Sequence, residues 1–260
     1  MANILATPDT RASAPVALVT GAGRRIGRVV AQTLFARGYR LALAAHTSID
    51  ELSQLVDEIT MSGGEALALQ ADLRDTAQVD QLVAGAHNHY GRIDALVNCA
   101  AIWRRQALET ITAEDVREHF EVNTLATFLC CQKVGLVMVA QEQGGAIVNL
   151  GDWATIRPYR DYAAYFPSKG TIPTLTRSLA VELAHRNPRV RVNAVLPGPV
   201  LLGDNLSPAE KEAIIEATLV KREGTPANIA HAVVFLLEND FVTGVCLPVD
   251  GGRGIHGSTR

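Results

Sequence analysis

The chain has 260 residues, 48% of them hydrophobic and 20% charged, a length and balance suited to one large α/β core. Its formal net charge of −3 gives no electrostatic reason to expect nucleic acid or a membrane surface as partner. Four cysteines, Cys99, Cys130, Cys131 and Cys246, lack the spacing of a disulfide framework or a metal centre, so they read as buried thiols in a reducing, cytoplasmic compartment.

Residues 1–14 lack the basic start and apolar core of a secretory signal and read as a flexible leader. No uninterrupted apolar run reaches the ~18 residues needed to cross a bilayer. Strand-length apolar runs then recur at 16–19, 41–45, 66–70, 95–98, 146–150, 190–195 and 245–249. Helical patterns fall between them, near 26–37, 49–62, 76–90, 113–140, 162–186 and 226–238. Most of the strands are continuously hydrophobic, as when helices cover both faces of a parallel sheet. Alternation of strand and helix predicts a single α/β domain over 15–260, a doubly wound seven-stranded parallel sheet with helices on both sides. The long insertion at 197–220, with a short helical pattern at 208–219, is where a substrate lid would sit.

The first strand runs into Thr20-Gly21-Ala22-Gly23-Arg24-Arg25-Ile26-Gly27 and then a helix. Glycines there let the backbone approach a pyrophosphate at a helix N-terminus. The end of the second strand, Ala44-Ala45-His46-Thr47-Ser48, has no acid to bind a ribose 2′-hydroxyl. Arg24 and Arg25 instead offer guanidinium groups, with His46, Thr47 and Ser48 as further donors, which favours NADPH over NADH.

The chemistry-bearing stretch is Tyr165-Phe166-Pro167-Ser168-Lys169, with Asp152 upstream. A Tyr and a Lys four apart share one helix face, and an ammonium there favours the phenolate, pulling a tyrosine down from about 10. Such a tyrosine exchanges a proton with a substrate during hydride transfer. Pro167, Gly170 and Pro173 fall inside this expected helix, which predicts a kinked helix, with Asp161 as its N-cap.

From about residue 15 to 252 the chain resembles the short-chain dehydrogenase/reductase family, whose fold is of the Rossmann type. The resemblance implies that Thr20–Gly27 holds the cofactor together with Asp72, Leu73, Asn98, Ala100, Pro197 and Gly198. It implies a catalytic set of Asn123, Tyr165 and Lys169, with Asn123 relaying protons through water toward the lysine. It also implies a homotetramer, and a C-terminal tail, with His256, that can reach a neighbouring subunit's site. Asn98-Cys99-Ala100-Ala101 departs from the family's Asn-Asn-Ala-Gly at two places.

Asp152 stands where most members carry a serine that hydrogen-bonds the substrate carbonyl. With Arg25 in the turn, it resembles the pteridine reductase and dihydromonapterin reductase branch. An ionised carboxylate only accepts hydrogen bonds, so it suits a substrate presenting N–H groups, such as a pterin; alternatively it merely caps a loop. Against a pterin stand Ile102, where that branch places an aromatic ring, and a lid helix without aromatic residues. The expectation is therefore NADPH-dependent reduction of a pterin-like heterocycle, with Arg25, Ile102, Trp103, Asp152, Tyr165 and Leu201 around the substrate. The alternatives are a ketone, quinone or acyl substrate, and an NADPH-binding module without turnover.

Overall fold

The computed structural model describes residues 13–203 and 206–256; nearly all of the leader and part of the expected lid lie outside them. Seven strands pair in parallel in the order β3-β2-β1-β4-β5-β6-β7. They are β1 (Val16–Thr20), β2 (Arg40–Ala45), β3 (Ala66–Gln70), β4 (Ala95–Asn98), β5 (Gly145–Leu150), β6 (Val190–Pro197) and β7 (Cys246–Val249). The helices are α1 (Arg25–Ala36), α2 (Ile49–Met61), α3 (Thr76–Tyr90), α4 (Ala113–Phe120), α5 (Ala126–Ala140), α6 (Tyr165–Gly170), α7 (Ile172–Arg186), α8 (Pro208–Glu216) and α9 (Pro226–Glu238).

Successive strand residues point to opposite faces, and both faces are covered. Ala17 and Val19 of β1 face a cluster with Leu34, Leu55 and Val233, from α1, α2 and α9. Val16 and Leu18 face one with Leu82, Met138 and Leu183, from α3, α5 and α7. This two-sided burial is the reason the strands read as unbroken apolar runs. The strand order reverses between β1 and β4, so the loops after these strands diverge and leave a crevice at their carboxyl ends.

Two expected long helices are each broken in two. Over 113–140 the rod passes from α4 through a wider π-type turn at Glu121–Leu125 into α5. The turn is pinned from outside: the Asn123 amide bonds the backbone of Ile102 and the hydroxyl of Ser168. Over 162–186 the break falls at Thr171, between α6 and α7. Each proline thereby lies in the first turn of its own helix, where its missing N–H has no intrahelical partner to lose. Asp161 is not a cap: it lies outside the helix at φ 70, and its carboxylate pairs with Arg105 at 2.8 Å.

Candidate active site

The turn after β1 is drawn tight. Gly21 has φ 64, and a Cβ there would stand 2.8 Å from the Ala100 backbone beyond β4. A Cβ on Gly27 would stand 2.1 Å from the Gly21 carbonyl oxygen, so the start of α1 abuts the turn. This cradle fits the diphosphate of a dinucleotide, with the N-terminus of α1 directed at it. Arg25 holds φ 55, a left-handed conformation, without being glycine, which costs roughly 1–2 kcal/mol. Arg24 and Arg25 are exposed; Arg24 approaches Glu51 only at 3.7 Å. His46 and Thr47 are exposed beside the crevice, and Ser48 abuts Gly23.

The other residues expected at the cofactor have protein partners of their own. The Asp72 carboxylate is forked onto Arg74, at 2.6 Å for the shortest bond, and this bonding holds it down at about 2. Leu73 packs against the hydrophobic cluster. Asn98 turns into the core, where its amide nitrogen donates to Asn149 at 2.9 Å and to the Cys131 sulfur at 3.2 Å; its Oδ1 has no protein partner. Strand alternation puts Asn98 on the face shared with α5, so only the backbone beyond it, at Ala100, reaches the turn. Pro197 ends β6. Gly198 is required by Asp250, whose Cα would meet its Cβ at 2.3 Å. Burial pushes the Cys99 thiol up to about 12, which leaves it protonated and unreactive.

Tyr165, Asp152, Lys169 and Asn123 come together at the carboxyl ends of β4 and β5. The Tyr165 hydroxyl donates to Asp152 Oδ2 at 2.8 Å. The other carboxylate oxygen, Oδ1, accepts from the Ala154 N–H at 2.7 Å, capping a 3₁₀ turn at Trp153–Ile156. Asp152 is therefore both a loop cap and the partner of the tyrosine. Lys169 Nζ donates to the Leu150 carbonyl at 2.7 Å. Asn123 Nδ2 bonds Ser168 Oγ at 3.0 Å, whose hydroxyl donates to the Tyr165 carbonyl at 2.6 Å. Asn123 thus brackets the start of α6; its own carbonyl takes the Thr127 hydroxyl at 3.0 Å.

The electrostatics overturn one expectation. Tyr165 is 5% exposed, and burial, then the Asp152 charge, holds its hydroxyl well above the usual phenol range. No phenolate is prepared by Lys169. Burial raises Asp152 above the ordinary carboxylate range and lowers Lys169 to about 8, against an upward pull from Asp152. In this state Tyr165 is a proton donor already engaged by its neighbour.

On the substrate side, Ile102 is held through both backbone groups by Asn123. Trp103 stacks on Tyr162 with centroids 5.0 Å apart and planes at 9°, so it walls the site next to Tyr165. Leu201 has φ 56 at the head of the lid segment. The described tail folds back on its own chain: the His256 carbonyl accepts from Arg157 at 2.6 Å. The sequence reading missed His119, which is fully buried and set edge-on to Tyr165 at 6.3 Å. It also passed over Arg157 and Arg253, segments far apart in the chain.

Against this geometry, a family model described as Enoyl-(Acyl carrier protein) reductase matches residues 21–253. The chain is 35% identical to a 3-oxoacyl-[acyl-carrier-protein] reductase of Homo sapiens, over 91% of this chain and 97% of that protein. It is also 35% identical to one of Synechocystis sp., over 94% and 98%. A crystal structure of a short-chain alcohol dehydrogenase candidate from Sinorhizobium meliloti 1021 superposes with a TM-score of 0.87 at 30% identity, covering 94% of this chain and 97% of that one.

Proposed function

The chain belongs to the short-chain dehydrogenase/reductase family, and on that basis we propose that it is an NADPH-dependent reductase of a ketone or acyl carbonyl. The carrying observation is Tyr165, a buried hydroxyl donor beside Lys169 at the crevice where the strand order reverses. The pterin reading gives way to its alternative for two reasons. The full-length relatives are named as reductases of 3-oxoacyl groups. Trp103, the aromatic residue next to the position where that branch carries its ring, is already stacked on Tyr162.

The Gly21–Gly27 turn, the exposed Arg24, Arg25, His46 and Thr47, and Lys169 would hold the dinucleotide, which when bound supplies the hydride. The absence of an acid after β2 and the two exposed guanidiniums support a 2′-phosphate. Tyr165 would give its proton to the carbonyl oxygen after releasing Asp152, and Lys169 as an ammonium would favour that transfer. Asp152 would keep the hydroxyl oriented between turnovers.

The test is oxidation of NADPH and NADH by purified protein with acetoacetyl thioesters, simple ketones, quinones and biopterin. NADPH with a ketone or thioester should be preferred; turnover of biopterin alone, or of NADH at least as well as NADPH, would overturn the reading. Tyr165→Phe should lower turnover by at least about 10²-fold, the low end for general acid catalysis, while dinucleotide binding measured calorimetrically is retained.

A further inference from the structure

Beside the reacting tyrosine lies a cleft of about 320 Å³ lined by Trp153, Arg157, Pro158, Tyr159 and Arg253. Trp153 directly follows Asp152 and packs against the cluster of Ala154, Tyr162, Tyr165 and Phe166. Tyr159 sits edge-on to Tyr162 and Phe166, at 5.1 and 4.9 Å. The cleft is therefore the outward continuation of the catalytic cluster.

Two cations face it. The Arg253 guanidinium lies 5.6 Å from the centre of the Trp153 ring and donates one bond, from Nη1 to the Ala217 carbonyl just past α8, at 3.3 Å. Arg157 likewise uses Nη1, toward the Arg253 and His256 carbonyls at 3.3 and 2.6 Å. Neither has a carboxylate partner among the described residues. Several other arginines are matched, as in Arg92–Asp94, Arg104–Glu118 and Arg105–Asp161. Burial, and then the charge of Arg157, pushes Arg253 below its ordinary value. Two guanidiniums lining one cleft, one of them over the Trp153 ring and each with donors to spare, form a receptor for an oxyanion.

We propose that Arg157 and Arg253 bind an anionic group, a carboxylate or phosphate, carried by the substrate at the end remote from its reacting carbonyl. The proposal rests on the carbonyl-reductase reading and narrows its substrate class. Pairing the two arginines with one anion also links three segments: the loop after β5, the C-terminal turn and, through Ala217, the end of α8.

The experiment compares kcat/KM for levulinate and methyl levulinate, and for dihydroxyacetone phosphate and dihydroxyacetone, in wild type and in the Arg157→Gln/Arg253→Gln double variant. Wild type should prefer the charged member of at least one pair by about 10-fold or more, the scale of a charge-assisted contact, and the pair that responds identifies carboxylate or phosphate. The double variant should bring that ratio near one. Equal use of charged and neutral members by wild type, or a ratio unchanged in the variant, would overturn the proposal. Because Arg157 also tethers the C-terminal turn, Arg157→Lys and Arg253→Lys are measured alongside. They should keep most of the preference, and a loss as large as with Gln would mark the arginines as structural only. A second arm titrates inorganic phosphate by calorimetry into protein saturated with its dinucleotide. Saturable binding that weakens in the double variant supports the site, and no binding counts against it. If no ketone is turned over, the carbonyl reading falls while this titration still judges the site.

Discussion

Asp152 holds two jobs in one carboxylate, capping the turn after β5 with one oxygen and receiving the Tyr165 hydroxyl with the other. A serine there would donate to a substrate carbonyl; a carboxylate instead opposes ionisation of the tyrosine and raises Lys169. Asp152→Ser should therefore restore a donor, relieve Tyr165 and raise kcat/KM on ketones, whereas Asp152→Ala removes the opposition without supplying the donor. The pH dependence carries the sign. Lys169 is lowered to about 8, so its ammonium is present below that pH and activity should fall as pH rises through it. Asp152 pulls Lys169 upward, so in Asp152→Ala this alkaline limb should move to lower pH. An alkaline limb at the same pH in wild type and variant, measured as kcat/KM from pH profiles, would show that the two groups do not communicate. Arg25 is a second residue that breaks a local rule, holding a left-handed backbone where glycine would be unstrained. It stands at the start of α1, in the turn expected to hold the cofactor, and functional sites are where such strain clusters.

At the level of elements, the π-type turn between α4 and α5 ties the segment at Ile102 to the start of α6. Asn123 makes three side-chain bonds from it, to both backbone groups of Ile102 and to Ser168, and is fully buried. Asn123→Ala would leave both backbone groups of Ile102 and the Ser168 hydroxyl without these partners. The expected cost is about 2–4 kcal/mol, in the range for breaking a buried network, read as a shift of the urea midpoint. Because the bracket holds the start of α6, kcat should fall as well. A variant as stable as wild type would mean that the turn is held by other contacts. The seven strands were legible because most are apolar on both faces, and the Tyr165–Lys169 spacing survives in α6. The helix breaks were not legible, since they depend on partners distant in the chain: Ile102 for the π-type turn, and Thr124, whose hydroxyl donates to the Ser168 carbonyl near the α6–α7 break. Asp161 looked like a cap by residue type, yet Arg105 claims its carboxylate. The Arg157–Arg253 pair was invisible for the same reason, being assembled from segments 96 positions apart.

At the scale of the whole molecule, the rod from Leu125 through α5 carries apolar residues on its outer side as well as its buried side. Cys130, Cys131, Val134 and Met138 are buried against the sheet, while Leu125, Phe128 and Leu136 are 44%, 38% and 52% exposed and fall on one opposite face at 100° per residue. Val181 of the neighbouring α7 is also exposed. An exposed apolar stripe of this kind calls for a covering surface. A second apolar patch lies near the edge strand β7, where Phe235, Phe241 and Val245 are exposed. Two separate self-complementary surfaces are what a closed dihedral tetramer requires, because each two-fold axis generates one isologous contact. We therefore propose a homotetramer, with α5 and α7 at one interface and the β7 edge at the other. Light scattering at micromolar concentration should give four subunits. Phe128→Glu with Leu136→Glu should reduce this to a dimer held by the β7 edge, and Phe241→Glu should give a dimer held by α5. A wild-type mass of one subunit would remove both interfaces, and a wild-type dimer abolished by one set of substitutions and untouched by the other would leave only the first.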